Sequence, residues 1–208
     1  MDIVAPDIEE YLRRVTPSSE GVLLEMERLA ETRRFPIVGP LVGRVLHLLA
    51  RSIGARSVFE CGSGYGYSAA WFAAALPEDG RVILTDGSAE NCASARDHLG
   101  RAGVLGKCDI RQGDALAILE RAPGPFDVVF CDIDKRDYPR VHPLLAGRLR
   151  RGGLFICDNM LWFGRVAGPD RDPDTRGVRE LTRLLYADPA LHTTILPIRD
   201  GVAVSLML

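Results

Sequence analysis

The chain has 208 residues, of which 47% are hydrophobic and 26% charged, with a formal net charge of −2. That length suits one domain with a sizeable core, and the composition excludes a disordered, collagen-like or coiled-coil chain. Without a basic excess nothing holds a polyanion by counterion release, so nucleic-acid binding has no support. The longest apolar stretch, 69–76, is far too short to span a bilayer, and the acidic, proline-broken start lacks the form of a secretory signal.

Residues 1–54 read as helical. Ile8, Tyr11, Leu12 and Val15 recur at three-to-four spacing, as do Val22, Leu23, Met26 and Leu29, then Leu41, Val45, Leu46 and Leu49. From residue 57 onward short apolar runs (57–59, 82–84, 109–110, 126–131 and 153–157) alternate with amphipathic stretches near 67–76, 88–102, 114–121 and 138–149. This rhythm predicts crossover units around a parallel sheet covered on both faces. A loop at 163–176, holding Gly164, Gly168, Pro169 and Pro173, is long enough to act as a lid. One more helix near 174–186 follows, then runs 193–198 and 202–206, whose short link Arg199-Asp200-Gly201 predicts an antiparallel pair at the sheet edge. The expected organisation is one domain over 1–208, with helices in 1–54 and an α/β core in 55–208.

Five cysteines (Cys61, Cys92, Cys108, Cys131, Cys157) form an odd set without C-x-x-C spacing. That pattern suits buried thiols in a reducing compartment, so the expected location is the cytoplasm and no disulfide frame or zinc site is expected. The four histidines (His47, His98, His142, His192) are widely separated and receive no role.

The chemistry concentrates at the ends of the strands. The first strand runs into Glu60-Cys61-Gly62-Ser63-Gly64-Tyr65-Gly66-Tyr67-Ser68, a glycine turn that lets a nucleotide-type ligand approach the backbone. A dinucleotide fingerprint would need glycine at position 67, which is Tyr67, and Glu60 would repel a pyrophosphate. A nicotinamide oxidoreductase is therefore disfavoured, and a ligand bearing an ammonium group is favoured. Asp86, at the tip of the second strand, can accept ribose hydroxyls, or alternatively cap the next helix. Asp114, after Gly113, could meet the adenine edge or cap a helix.

Asp132 follows the fourth run, and Asp158 and Asn159 follow the fifth. Oxygen-only donors at neighbouring strand ends suit a hard cation such as Mg²⁺ with open positions for a chelating substrate. Lys135 is one of only two lysines, beside Lys107, in a chain with 24 arginines. Arginine cannot release its proton, whereas a desolvated lysine can, which fits a proton acceptor. Trp162 and Phe163, beside these residues, could stack on an aromatic acceptor or simply pack.

In this order the motifs resemble those of the class I S-adenosylmethionine-dependent, divalent-metal O-methyltransferases, which include catechol and caffeoyl-CoA O-methyltransferases and small bacterial relatives. The resemblance covers 36–208 and rests on Val38-Gly39, the Glu60 to Ser68 loop, Asp86, Asp132-x-x-Lys135-x-x-Tyr138, Gly152-Gly153, Asp158-Asn159-x-Leu161-Trp162-x-Gly164 and Pro197-x-x-Asp200-Gly201. It implies a Rossmann-like, mostly parallel seven-stranded sheet with an antiparallel C-terminal hairpin. By the same resemblance Val38, Glu60, Gly62, Ser63, Ser68, Asp86, Asp114 and Ala115 would hold S-adenosylmethionine, with Asp132 also near the cofactor. Asp132, Asp158 and Asn159 would bind Mg²⁺ or Mn²⁺, and Lys135 would be the base. The acceptor would be a small aromatic molecule with adjacent hydroxyls, and a homodimer is admitted. A relative methylating a hydroxylated uridine of tRNA would use the same residues, and a cofactor-binding module without turnover is the reading from another class. One departure is Gly64, which offers no side chain where relatives often do.

Overall fold

Apolar runs bounded by turn residues become seven strands: β1 (Ser57–Cys61), β2 (Arg81–Asp86), β3 (Cys108–Gln112), β4 (Phe126–Cys131), β5 (Leu149–Cys157), β6 (Leu191–Leu196) and β7 (Val202–Met207). The computed structural model describes residues 3–169 and 171–208. The strands form one sheet in the order β3-β2-β1-β4-β5-β7-β6. The first five are parallel, and β7 runs antiparallel to both neighbours, as the short 199–201 link predicts. Strand order reverses between β1 and β4, and in such sheets ligands bind at that switch point, beyond the strands' C-terminal ends.

Strand alternation sends side chains to two cores. One face packs Val58, Val82, Leu84, Val128 and Phe130 under α3 (Gly39–Ser52), α4 (Tyr67–Ala75) and α5 (Ala89–Arg101). The other packs Phe59, Ile83, Val129 and Phe155 under α6 (Ala115–Arg121), α7 (His142–Arg148) and α8 (Pro173–Ala187). Cys61, Cys131 and Cys157 lie side by side across β1, β4 and β5, fully buried. Cys92 and Cys108 are only partly covered, so the reading of all five as buried thiols holds for three. At the opposite, N-terminal edge of the sheet, Asp127 accepts hydrogen bonds from Arg56 N (2.9 Å), Ser57 N (2.8 Å), Ser57 Oγ (2.8 Å) and the Arg150 guanidinium. Burial alone would raise its pKa, but these donors outweigh burial and hold it below the usual carboxylate value.

Several boundaries differ from the sequence reading. The stretch at 138–149 contains Pro139 and Pro143, so it breaks into a 3₁₀ segment, Lys135–Arg140, and the short α7, and Leu149 already belongs to β5. β6 starts at Leu191 and ends before Pro197. The expected 163–176 loop is largely structured: 3₁₀ turns occupy Trp162–Ala167, and Asp172 caps α8, accepting from Thr175 N at 3.1 Å. The N-terminal region is helical as expected, with α1 (Pro6–Val15) and α2 (Gly21–Arg33) ahead of α3. Yet α1 leaves its apolar face, Ile8, Tyr11, Leu12 and Val15, exposed. Among the described residues no helix is long and apolar enough to cross a membrane.

Candidate active site

A cleft of about 1020 Å³ opens at the C-terminal edge of the parallel strands. Its first half is built on β1 and β2. The turn after β1 needs glycine at position 62, where φ is +80° and a Cβ would lie 2.2 Å from the Asp132 carbonyl oxygen. Ser63 N donates to Thr85 O (2.9 Å) and Asp132 N to Cys61 O (2.9 Å), tying the turn to both neighbouring strands. At position 64 a Cβ would meet the Phe35 ring at 2.8 Å, so an aromatic side chain from the N-terminal region fills the space left by this glycine.

Asp86 lines the cleft, accepting from Gly64 N (3.0 Å), Ser88 N (2.8 Å) and Asn91 Nδ2 (3.0 Å). It is not the cap of α5: Ser88 fills that position. Asp114 both lines the cleft and caps α6, accepting from Ala117 N at 2.7 Å. Val38, Gly62, Ser63, Ser68 and Ala115 line the same cavity. Glu60 does not. It shares a sheet face with Val58, so its carboxyl points under α4, fully buried and hydrogen-bonded by Ser68, with Oε2 unpartnered. Burial pushes its pKa to about 8. Its carboxyl therefore meets the cleft through Ser68, which lines it.

The second half stands on β4 and β5. Lys135 Nζ donates to Asp132 Oδ1 (2.7 Å) and Ile133 O (3.2 Å), and lies over the rings of Tyr138 and Trp162. Burial would lower its pKa, but the Asp132 charge and hydrogen bond outweigh burial and raise it, so the ammonium form is held. Asp158 is 3% exposed with Oδ1 unpartnered, and burial, followed by the nearby Asp132 charge, raises its pKa to about 7. Asn159 adopts φ +57°, and Trp162 and Phe163 follow with φ +46° and +52°. Such strained backbone clusters at functional sites.

Four residues absent from the sequence-based site support this half. Tyr138 donates its hydroxyl to Asp158 O (2.8 Å) from a fully buried position. Gly177 lets α8 press on the Lys135 segment, since a Cβ there would sit 2.0 Å from Lys135 O. Asp200 accepts from Phe163 N, yet keeps Oδ2 buried without a partner. Arg199 reaches across to the carbonyls of Ile37 (2.8 Å) and Val38. Of these, Tyr138 and Asp200 stand within recognised motifs, while Gly177 acts across more than 40 residues and Arg199 across more than 160, and neither leaves a local signal. Among the described residues no three His, Cys, Asp or Glu side chains converge as a ready-made ion cage. The set here is two carboxylates and an amide, all oxygen donors, and the unpartnered Asp158 Oδ1 fits a hard cation.

A parallel sheet closed by an antiparallel β7, with a glycine turn and a strand-end acid at its switch point, defines a class I methyltransferase architecture. The chain belongs to the O-methyltransferase family, whose model matches residues 19–208, and it is an S-adenosylmethionine-dependent O-methyltransferase of the caffeoyl-CoA and catechol type. It is 37% identical to caffeoyl-CoA O-methyltransferase 1 of Eucalyptus globulus, over 77% of this chain and 70% of that one. It is 34% identical to a catechol O-methyltransferase of Niastella koreensis, over 90% of each. Among solved structures, the O-methyltransferase TomG from Streptomyces achromogenes, involved in tomaymycin synthesis and solved in complex with SAM, matches with a TM-score of 0.87. Its identity is 30%, covering 97% of this chain and 96% of that one.

Proposed function

We propose that the enzyme methylates one hydroxyl of a small aromatic acceptor with two adjacent hydroxyls, with Mg²⁺ or Mn²⁺ held by Asp132, Asp158 and Asn159. The observation that carries this is the buried Oδ1 of Asp158, which has no hydrogen-bond partner and, with Asp132 and Asn159, offers only oxygen ligands. Val38, Gly62, Ser63, Ser68, Asp86, Asp114 and Ala115 hold the cofactor, with Asp86 on the ribose, and Glu60 acts from beneath by fixing Ser68. The cofactor supplies an electrophilic methyl group, and the ion supplies Lewis acidity that lowers a hydroxyl pKa. The chain's own work is to align the acceptor oxygen with that methyl and to keep water out. Trp162 and Phe163 offer aromatic surface at the mouth, their rings 5.4 Å apart. Lys135 takes the hydroxyl proton. Asp132 holds it charged in the bare chain, so this role requires Asp132 to share its charge with a second cation.

The test incubates purified protein with labelled S-adenosylmethionine, Mg²⁺ and a panel of catechols, polyphenols and hydroxylated RNA. Label is expected in the catechols and lost with EDTA. Full transfer in EDTA removes the ion from the reading, transfer to RNA alone supports the tRNA-modifying relative, and cofactor binding without any transfer supports the binding module. Asp158→Ala is expected to lose transfer while cofactor affinity stays within a few fold.

A further inference from the structure

The charge at the cleft's rim discriminates between acceptors, an inference that rests on the O-methyltransferase reading above. Ten carboxylates and five cations among the described residues line the cleft. The cations are already engaged. Arg13 pairs with Glu9 (2.6 Å), Arg136 with Asp174 (3.2 Å) and Arg140 with Asp137 (2.9 Å), while Lys135 is held by Asp132 and Arg199 by the Ile37 and Val38 carbonyls. Against these stand Asp134 and Glu31, exposed lining residues that carry no cation among the described residues. The exposed Phe163 ring beside Trp162 adds a surface whose π-face attracts positive charge.

An acceptor tethered to phosphates needs cations free to meet them, and charge-assisted arginine forks are the usual means. Here each rim arginine would first have to leave its carboxylate, and the approaching anion would meet uncompensated acids. A cationic acceptor meets the reverse: Glu31 and Asp134, which stand outside the proposed ion and cofactor contacts, steer it inward and the aromatic pair receives it. We infer that the cleft takes a compact, phosphate-free acceptor, prefers one bearing an ammonium group, and disfavours polyanionic acceptors such as coenzyme A thioesters and RNA.

Three probes with the same reacting catechol test this: dopamine, 4-methylcatechol and caffeoyl-CoA, each with S-adenosylmethionine and Mg²⁺ at low and high salt. The expected order of kcat/KM is dopamine, then 4-methylcatechol, then caffeoyl-CoA, with the dopamine value falling as salt rises. The double variant Glu31→Lys with Asp134→Lys changes neither catalytic nor cofactor-binding residues. It is expected to lower kcat/KM for dopamine about fivefold, leave 4-methylcatechol near its original value and improve caffeoyl-CoA. A preference for caffeoyl-CoA in the unaltered enzyme, or a dopamine value indifferent to salt and to the double variant, overturns the inference while leaving O-methylation intact. Transfer to none of the three despite cofactor binding overturns the proposed catechol acceptor itself, and this inference with it.

Discussion

Asp127 and Asp158 sit at opposite ends of neighbouring strands in one sheet, and their surroundings are opposed. At the N-terminal edge Asp127 takes four donors and is held below the ordinary carboxylate range. At the C-terminal edge Asp158 is more deeply buried, keeps an oxygen unpartnered and is pushed up to about 7. Supplying donors to a buried carboxylate stabilises the fold, whereas withholding them preserves affinity for something the chain does not itself contain. Under the proposed function one edge is built for stability and the other for ligand binding.

The sharpest way to break this comparison is Asp158→Asn. It is expected to abolish metal-dependent transfer, leave cofactor affinity within a few fold by calorimetry, and raise the melting temperature of the ligand-free protein at pH 8. A variant less stable than the original would mean that Asp158 is structural, as Asp127 is. Lys135→Arg comes next, keeping the charge on Asp132 but supplying a group that cannot accept a proton near neutral pH. Turnover should fall by roughly 10²–10⁴-fold, recovering at high pH where the acceptor ionises unaided. Near-original turnover at pH 7 would reduce Lys135 to balancing carboxylate charge.

Asp127→Ala removes the counterpart. It should destabilise by about 3 kcal/mol, lowering the melting temperature by roughly 6–12 °C without changing cofactor affinity. The smallest effect is the pH profile of the ligand-free protein. Carboxyls raised on folding stabilise fully below their unfolded pKa, and that contribution is lost as pH rises through the folded value. Glu60, at about 8, and Asp158, at about 7, should therefore lower the melting temperature between about pH 5 and pH 8. Asp127 works the other way, its contribution being lost only as pH falls through its depressed value. Glu60→Gln should flatten the alkaline decline by a few degrees in scanning calorimetry, and an unchanged slope would show that Glu60 is not its source.

Asp132, Asp158 and Asn159 could be placed from sequence because a polar residue directly after an apolar run in a parallel sheet has to emerge at the C-terminal edge. Lys135 was noticed through composition, but its partner was not, since the 3₁₀ segment that turns it back onto Asp132 depends on Pro139 and on α8 packing. The burial of Glu60 is legible too: two residues after Val58 on one strand, it shares that face. The apolar repeat of α1 correctly predicts a helix, but periodicity cannot show whether a face finds a partner within its own chain.

The reach of Arg199 to the carbonyls of Ile37 and Val38 carries a consequence for synthesis on the ribosome. A wall of the cofactor cleft is latched by a residue made roughly 160 positions after the segment it secures. The helices and the first five strands can form as the chain emerges, but that wall is fastened only once the closing hairpin is available. Cofactor affinity should thus arrive abruptly once the closing hairpin has emerged, after most of the sheet already exists.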